Sequence, residues 1–206
     1  MKVLNLYAGI GGNRKLWTDV EVTAVEWDES IAGIYQNFFP DDKVIVADAH
    51  QYLLEHYKEY DFIWSSPPCP SHSRARFWGW RNTKPMFPDM KLYEEVLFLD
   101  NYYDGKYCVE NVKSYYKPLI PPQELGRHYF WTNFIIKNTV KDKPNSIWYG
   151  AINVLQDETG FDLSSYSGID KRKTLRNVCE PELGKIILEC AFVEPQKNLL
   201  DYHSIG

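Results

Sequence analysis

Short apolar runs alternate with segments of helical periodicity along the first half of the chain, and several runs end in a glycine or an acidic residue. The apolar runs predict strands over residues 3–6, 22–25, 44–46, 62–64 and 106–109. The intervening segments predict a helix that starts within residues 13–17 and further helices over residues 28–38, 50–57 and 93–102. Strands that alternate with helices are typical of a mostly parallel sheet with helices on both faces, so we predict an α/β fold.

The second half of the chain has a weaker pattern. A strand is predicted over residues 129–136 and a helix over residues 181–191, whereas residues 137–173 are polar and irregular. A chain of 206 residues is long enough for one full domain with a sizeable core and short for two. We therefore predict a single domain over residues 1–206.

Composition and charge narrow the classes of partner. Hydrophobic residues make up 44% of the chain and charged residues 25%, which is an ordinary globular balance. The formal net charge of -5 argues against indiscriminate binding to polyanions, so a nucleic-acid partner requires a local basic patch. Such a patch is predicted from Arg74, Arg76, Arg81 and Lys84.

The four cysteines are widely spaced, without a CxxC pair or metal-ligand spacing, which predicts a reduced, cytoplasmic setting and no metal site. The amino terminus reaches glycines too soon for a signal peptide, and no apolar run approaches membrane-spanning length. Neither export nor membrane insertion is expected.

The turn after the first predicted strand, Gly9-Ile10-Gly11-Gly12, indicates a ligand that approaches the backbone closely. It lacks the Lys-Ser/Thr of a P-loop and the spacing of GxGxxG, so a phosphate cradle is disfavoured. Glu26 at the end of the second strand is placed to accept hydrogen bonds from ribose hydroxyls, and Asp48 after the third from an adenine amino group. With Trp27 as a stacking surface, these residues favour a nucleoside ligand, and the missing phosphate site favours S-adenosylmethionine.

Cys69 lies between prolines in the stretch Ser65–Phe77, directly after the fourth predicted strand. Prolines fix the local backbone angles, so this frame presents the thiol rigidly. A nucleophilic thiol needs a cationic setting, which Arg74, Arg76 and His72 are expected to supply. The alternative is a buried structural cysteine in a proline turn, which is how we interpret Cys108, Cys179 and Cys190.

Glu110 follows the fifth predicted strand, so a parallel sheet in the usual order places it beside Cys69. A thiol and an acid in one cleft fit attack on a pyrimidine. The thiolate adds to ring carbon 6 while the acid holds and protonates ring nitrogen 3, and carbon 5 then becomes nucleophilic enough to take a methyl group. Loss of the carbon 5 proton releases the adduct.

Five segments in this order resemble the motifs of the DNA cytosine-5 methyltransferase family. The segment Asn5–Gly12 is similar to D-L-F-A-G-x-G-G, Ala24–Trp27 to the second motif and Ser66–Cys69 to the Pro-Cys motif. Glu110-Asn111-Val112 is the family's Glu-Asn-Val motif unaltered, and Arg176–Leu183 is similar to G-N-A-V-P-P-x-L. The resemblance implies a Rossmann-like methyltransferase fold, S-adenosylmethionine as methyl donor, and a DNA cytosine that is flipped out of a duplex or taken from a single strand.

The resemblance also implies residue roles. Cys69 is expected to be the nucleophile and Glu110 the ring acid, with Arg127 as a third catalytic residue. The cofactor-binding residues are expected to be Tyr7, Ala8, Gly9, Ile10, Gly11, Gly12, Glu26, Trp27, Asp48, Pro68, Asn177 and Val178. The residues expected to bind the substrate are Ser71, Arg74, Arg76 and Asn111.

The chain departs from the family pattern in three places. Pro70 replaces the Gln that usually follows Pro-Cys, and the Q-x-R-x-R motif is not intact, so Leu125–Tyr129 is the best alignment and Arg127 the surviving arginine. Residues 132–173 form only a reduced substitute for the usual target-recognition region. These departures leave open an RNA or nucleotide substrate, and a weakly active cofactor-binding module that needs a protein partner to recognise DNA. A nicotinamide-dependent enzyme is disfavoured by the glycine spacing.

Overall fold

The computed structural model describes residues 1–74, 86–137 and 151–192. Within these ranges seven strands form one sheet in the order β3-β2-β1-β4-β5-β7-β6. The strands are β1 (Lys2–Leu6), β2 (Glu21–Glu26), β3 (Lys43–Val46), β4 (Phe62–Ser65), β5 (Lys106–Val112), β6 (Gln123–Leu125) and β7 (His128–Thr132). Neighbours from β3 to β5 pair in parallel, whereas β7 is antiparallel to both β5 and β6.

The described helices connect or flank these strands. They are α1 (Glu29–Phe38), α2 (Ala49–His56), α3 (Lys91–Tyr102), α4 (Ile152–Thr159), α5 (Lys171–Arg176) and α6 (Pro181–Phe192), and a 3-10 turn over Tyr57–Glu59 follows α2. Asp28 caps α1 by accepting hydrogen bonds from the Ser30 and Ile31 amides, as strand-end acids commonly do at a helix start. The predicted Rossmann-like α/β fold with a mostly parallel sheet is confirmed.

Both faces of the central strands β1, β4 and β5 are buried, which explains why successive residues of these strands are buried rather than alternating with exposed ones. Leu4, Leu6 and Val109 pack with α2 and α3 on one face. Val3 and Trp64 pack with α6 on the other face. A third cluster joins α1 and the glycine turn to the segment around α4 and α5, and it contains Ile10, Ile34, Leu155, Phe161, Leu163, Leu175 and Val178. That cluster fixes the end of α5 over the carboxyl ends of the central strands.

Several predicted elements are wrong in detail. Residues 13–17 form turns and not the start of a helix, because the Asn13 side chain is held by Asn5 of β1 at 2.8 Å and the Trp17 indole donates to the Gly184 carbonyl at 2.9 Å. The fifth strand continues to Val112 because β7 pairs with its last residues, so Glu110 lies inside β5 and not beyond its end.

The later segments also differ from the prediction. The strand predicted over residues 129–136 ends at Thr132, and β6 was not predicted. Within the range expected to be irregular, α4 and the start of α5 are helical. The apolar pattern of α4 is short, and its buried residue Leu155 belongs to a cluster that also contains Ile34 of α1, which is distant in sequence.

Gly184 of α6 carries the first prediction. A Cβ at this position lies 2.1 Å from the Asn13 carbonyl oxygen and 2.6 Å from its Cα, so Gly184→Ala forces backbone apart. We expect a loss of about 1–3 kcal/mol in the free energy of unfolding, or more if the turn cannot shift.

Gly33 of α1 is the matched control because a Cβ there meets nothing within 4 Å. Gly33→Ala is expected to stabilise by roughly 0.5–1 kcal/mol. Urea unfolding of both variants tests this pair, and equal effects contradict the packing of α6 on the turn.

Candidate active site

A cleft of about 760 Å³ lies at the carboxyl ends of the parallel strands. The turns after β1, β2 and β4, the end of β5, and the segment 168–179 all contribute to its lining. In open α/β sheets this edge is where ligands bind. Most of the residues predicted from the sequence to bind cofactor or substrate line this cleft.

The glycine turn forms one wall of the cleft. Gly9 has a positive φ of 55°, and a Cβ at this residue meets nothing within 4 Å, so a side chain here would project into open space. The Gly9 amide donates to Glu26 Oε2 at 2.9 Å, and the Asp28 amide donates to Glu26 Oε1 at 3.0 Å. Both oxygens of Glu26 keep a further lone pair that is available to a ligand hydroxyl.

Gly11 and Gly12 have different roles. Gly12 lines the cleft, and its Cβ would lie 2.4 Å from the Cys179 carbonyl, so the close approach of the two segments requires glycine. Gly11 does not line the cleft, because the position of its Cβ is filled by the Phe39 and Tyr35 rings at 2.3 and 2.9 Å. The glycine was expected to bind a cofactor, and the structure instead places it in packing against α1.

Two further residues on this side of the cleft have the chemistry of a nucleoside site. The side chain of Trp27 lines the cleft and Trp27 is 76% exposed, which leaves its ring accessible for stacking. Asp48 also lines the cleft and caps α2 by accepting from the Gln51 amide at 3.1 Å. That backbone hydrogen bond lowers the pKa of the Asp48 carboxyl. The open glycine position, the two carboxylates and the exposed ring fit S-adenosylmethionine.

Cys69 and Glu110 line the same cleft. Burial raises the pKa of the Cys69 thiol, and the neighbouring Glu110 carboxyl raises it further, while Arg127 acts in the opposite direction. Positive charge therefore reaches the thiol from Arg127. Sequence reasoning had assigned that charge to Arg74, Arg76 and His72.

The side chains of Arg74 and His72 have other partners than the Cys69 thiol. The Arg74 Nε donates to the Ser114 carbonyl at 2.8 Å. The buried His72 ring contacts the Tyr116 hydroxyl at 2.5 Å, and burial lowers the pKa of His72, so that its ring is neutral near pH 7. Arg76, Arg81 and Lys84 of the predicted basic patch lie outside the described residues.

The Glu110 carboxyl is held by a short chain of hydrogen bonds. The Trp64 indole donates to Ser66 Oγ at 2.8 Å, and the Ser66 side chain in turn hydrogen-bonds Glu110. Burial raises the pKa of Glu110 to about 7, against the opposing effects of Ser66 and Arg127. A carboxyl with this pKa keeps a large protonated fraction near neutral pH, which is what a proton donor to a base requires.

His128 lies beside Glu110 in the cleft and was not predicted from the sequence. It lines the cleft with its Nε2 at 3.6 Å from Glu110 Oε1. Burial lowers the pKa of His128 to about 3, so the pair is a neutral imidazole beside a carboxyl and not an ion pair. The signal that finds it is the register of β7 on β5, in which Phe130 faces Glu110 and His128 lies two residues further along the same face.

The remaining predicted site residues divide between the cleft and its surroundings. The residues that line it are Tyr7, Ala8, Ile10, Pro68, Asn111, Arg127, Asn177 and Val178. The Asn111 amide donates to the Pro67 carbonyl at 2.9 Å and so ties the proline turn to β5, and Arg127 Nη2 donates to the Val178 carbonyl at 3.3 Å. Ser71 lies outside the lining, where its Oγ accepts a hydrogen bond from the Asp89 amide at 3.0 Å.

Among residues 1–74, 86–137 and 151–192, no group of three or more His, Cys, Asp or Glu side chains is arranged to hold a metal ion. None of the helices described in these ranges has both the length and the apolar character needed to cross a bilayer.

Comparison with known proteins gives a family match. The sequence profile of the C-5 cytosine-specific DNA methylase family matches residues 1–114, which is more than half of the chain. No curated protein matches the sequence.

Solved structures with a similar arrangement include a mutant of DNMT2 from Spodoptera frugiperda, at 28% identity and a TM-score of 0.37, covering 54% of this chain and 35% of that one. A SAM-dependent methyltransferase from Agrobacterium tumefaciens is 16% identical, with a TM-score of 0.40, and the match covers 57% of this chain and 40% of that one. The chain thus matches about a third of the length of the DNMT2 structure.

Proposed function

Because the chain belongs to the C-5 cytosine-specific DNA methylase family, we propose that it transfers a methyl group from S-adenosylmethionine to carbon 5 of cytosine in DNA. The reaction proceeds through a covalent adduct with Cys69. The observation that carries this proposal is that one cleft is lined by Cys69, by Glu110 and by the open glycine turn.

The cofactor half of the cleft is assigned to the turn after β1 and the acids after β2 and β3. Glu26 would accept hydrogen bonds from ribose hydroxyls, Asp48 would accept from the adenine amino group, and Trp27 would stack on the base. Asn177 and Val178 would close the pocket from the end of α5. When bound, S-adenosylmethionine supplies a methyl group on a sulfonium, which is a strong electrophile.

The reaction half is assigned to the turn after β4 and the end of β5. The Cys69 thiolate adds its electron pair to carbon 6 of the cytosine, and the protonated Glu110 donates its proton to nitrogen 3. Electron density then accumulates at carbon 5, which takes the methyl group. Loss of the carbon 5 proton to a base and cleavage of the carbon–sulfur bond release the thiolate, and return of the nitrogen 3 proton to Glu110 restores the neutral aromatic ring and the protonated acid.

Two neighbours support Glu110 in this role. The Ser66 hydroxyl, itself fixed by the Trp64 indole at 2.8 Å, orients the carboxyl. The neutral His128 ring beside Glu110 adds no positive charge of its own that would strip the proton from the acid. Arg127 provides the positive charge that favours the Cys69 thiolate.

A cytosine reaches a cleft of this kind only outside the base stack, so the target is flipped from a duplex or taken from a single strand. Lys91, Arg127, Lys173 and Arg176 line the cleft and offer individual positive charges to the phosphates of a nucleic acid, beside six acidic residues of the same lining. Residues 132–173 are assigned to a reduced target-recognition region, and a protein partner would supplement it.

The test is a labelled transfer assay across substrate classes. Purified chain is incubated with methyl-labelled S-adenosylmethionine and, in separate reactions, duplex DNA, single-stranded DNA, tRNA or dCMP. We expect label in DNA, with 5-methylcytosine identified by nucleoside mass spectrometry. Label confined to tRNA or dCMP contradicts the DNA assignment and keeps the chemistry, whereas methylation on an exocyclic nitrogen contradicts the chemistry itself.

A further inference from the structure

A buried carboxylate lies behind the wall of the cleft that is formed by the turn after β1. Glu95 of α3 is fully buried, at 0% exposure. Its Oε1 accepts a hydrogen bond from the Tyr7 hydroxyl at 2.6 Å and contacts His50 Nδ1 at 3.0 Å, and its Oε2 accepts from Ser65 Oγ at 2.5 Å. A buried carboxylate is costly unless it is paired and hydrogen-bonded, so these three partners act as one unit with it.

The unit joins four elements at the cofactor end of the cleft. Tyr7 follows β1, Ser65 ends β4, and His50 lies in the first turn of α2, two residues after Asp48. Tyr7 lines the cleft and has a positive φ of 54°, which a residue other than glycine adopts only when its surroundings hold it there. The hydrogen bond to Glu95 is the contact that holds the tyrosine side chain.

The hydrogen bond to Glu95 requires the hydroxyl of Tyr7. The motif that Asn5–Gly12 resembles has Phe where this chain has Tyr7, and a phenyl ring cannot donate a hydrogen bond to Glu95. The network is therefore a feature of this sequence and not a general property of the motif.

Protonation of His50 decides whether the unit contains a positive charge beside Glu95, because the neutral ring can still donate from Nδ1. The ring faces Glu95 on one side and Glu94 on another, with its Nε2 at 3.7 Å from Glu94 Oε2, and the charges of Lys91 and Asp48 are also close enough to act on it. The hydrogen bond to Glu95 raises the pKa of His50. The charged form, whose hydrogen bond to Glu95 is charge-assisted, consequently persists to higher pH than in a free histidine, and it is lost as the pH rises further.

We propose that Glu95, His50 and Tyr7 form a positioning network for the cofactor, so that the affinity for S-adenosylmethionine falls when His50 loses its proton. The inference rests on the proposed function, because it assigns the wall lined by Tyr7 to that cofactor. Above the pH at which His50 is neutral, its ring no longer places a positive charge beside Glu95, and the hydrogen bond between them is weaker. The Tyr7 turn and the start of α2, which carries Asp48 as its cap, are then held together less firmly.

The experiment measures binding of S-adenosylhomocysteine, the demethylated product, to the full chain by isothermal titration calorimetry from pH 6 to pH 9. We expect the dissociation constant of the wild-type chain to rise by about five- to tenfold across this range, since the hydrogen bond between His50 and Glu95 changes from a charge-assisted bond to one with a neutral donor. His50→Gln is expected to bind weakly at every pH, with a flat profile. Tyr7→Phe is expected to weaken binding about tenfold near pH 6.5.

Two matched controls separate positioning from general stability. Tyr52→Phe removes a hydroxyl whose partner is Tyr60 at 3.2 Å, and His56→Gln replaces a histidine of the same helix that pairs with Glu59. Both are expected to retain the wild-type affinity and pH profile. If the wild-type chain binds but His50→Gln and Tyr7→Phe share its profile, the network has no positioning role. If the wild-type chain binds at no pH, the proposed function fails, and this inference fails with it.

Discussion

Cys69→Ala is expected to abolish methyl transfer, with a rate loss of at least about 10⁴-fold, because removal of the nucleophile from an enzyme that acts through a covalent intermediate leaves only binding and electrostatic effects. An alanine at this position cannot add to carbon 6, so carbon 5 of the cytosine does not become nucleophilic. The rigid frame of the neighbouring prolines and the Asn111–Pro67 contact at 2.9 Å do not depend on the thiol. The variant should therefore fold and bind S-adenosylhomocysteine normally.

The measurement is initial-rate transfer of label to the best substrate, together with a trapping reaction. DNA that contains 5-fluorocytosine forms the adduct but has no carbon 5 proton to lose, so the wild-type protein should accumulate as a stable protein–DNA species. Cys190→Ala is the matched control, since this half-buried cysteine does not line the cleft and its Sγ contacts the Lys137 carbonyl at 3.7 Å. A trapped species in Cys69→Ala, or its loss in Cys190→Ala, would place the nucleophile at another residue.

The meeting of the functional turns at one edge of the sheet was predictable from the sequence, because it depends only on the order of the strands and on where each strand ends. Parallel strands bring their carboxyl ends to one edge, so the turns that carry Gly9, Glu26, Asp48 and Cys69 were expected to meet there. The direction of the side chains in the turns after the strands was not predictable from the sequence. Arg74 lies only five residues from Cys69, yet its guanidinium is drawn to the Ser114 carbonyl by an antiparallel bridge between Ser73 and Ser114.

Contacts that depend on register were also beyond the reach of the sequence. The chain shows no periodicity that would assign His128 to the face of Glu110 before the antiparallel pairing of β7 with β5 is known. The Glu95 cluster was missed for a similar reason, because an acid in a helix of mixed pattern is normally assigned to a solvated face. Its burial becomes evident only when α3 packs across β1 and β4.

Glu110→Gln is expected to slow methyl transfer and, at the same time, to increase the reactivity of the Cys69 thiol. The variant therefore separates the role of Glu110 as a proton donor from the effect of its negative charge on the thiol. Glutamine cannot protonate nitrogen 3 as an acid does, so transfer should fall by roughly 10²–10⁴-fold. The negative charge of Glu110 raises the pKa of Cys69, so its removal should lower that pKa and increase the thiolate fraction. Because the pKa of Glu110 is about 7, the carboxyl is charged mainly above that pH, and the gain in thiol reactivity should grow as the pH rises past 7.

Iodoacetamide labelling of Cys69, followed by peptide mass spectrometry from pH 6 to pH 9, measures the effect. Arg127→Gln gives the opposite expectation, since Arg127 lowers the pKa of Cys69 and its loss should slow labelling across the range. The two variants thus bracket the wild-type rate if one carboxyl and one guanidinium act on the same sulfur. Equal labelling in all three proteins would mean that the charges of Glu110 and Arg127 do not reach the thiol, and the paired chemistry at the cleft would lose its physical basis.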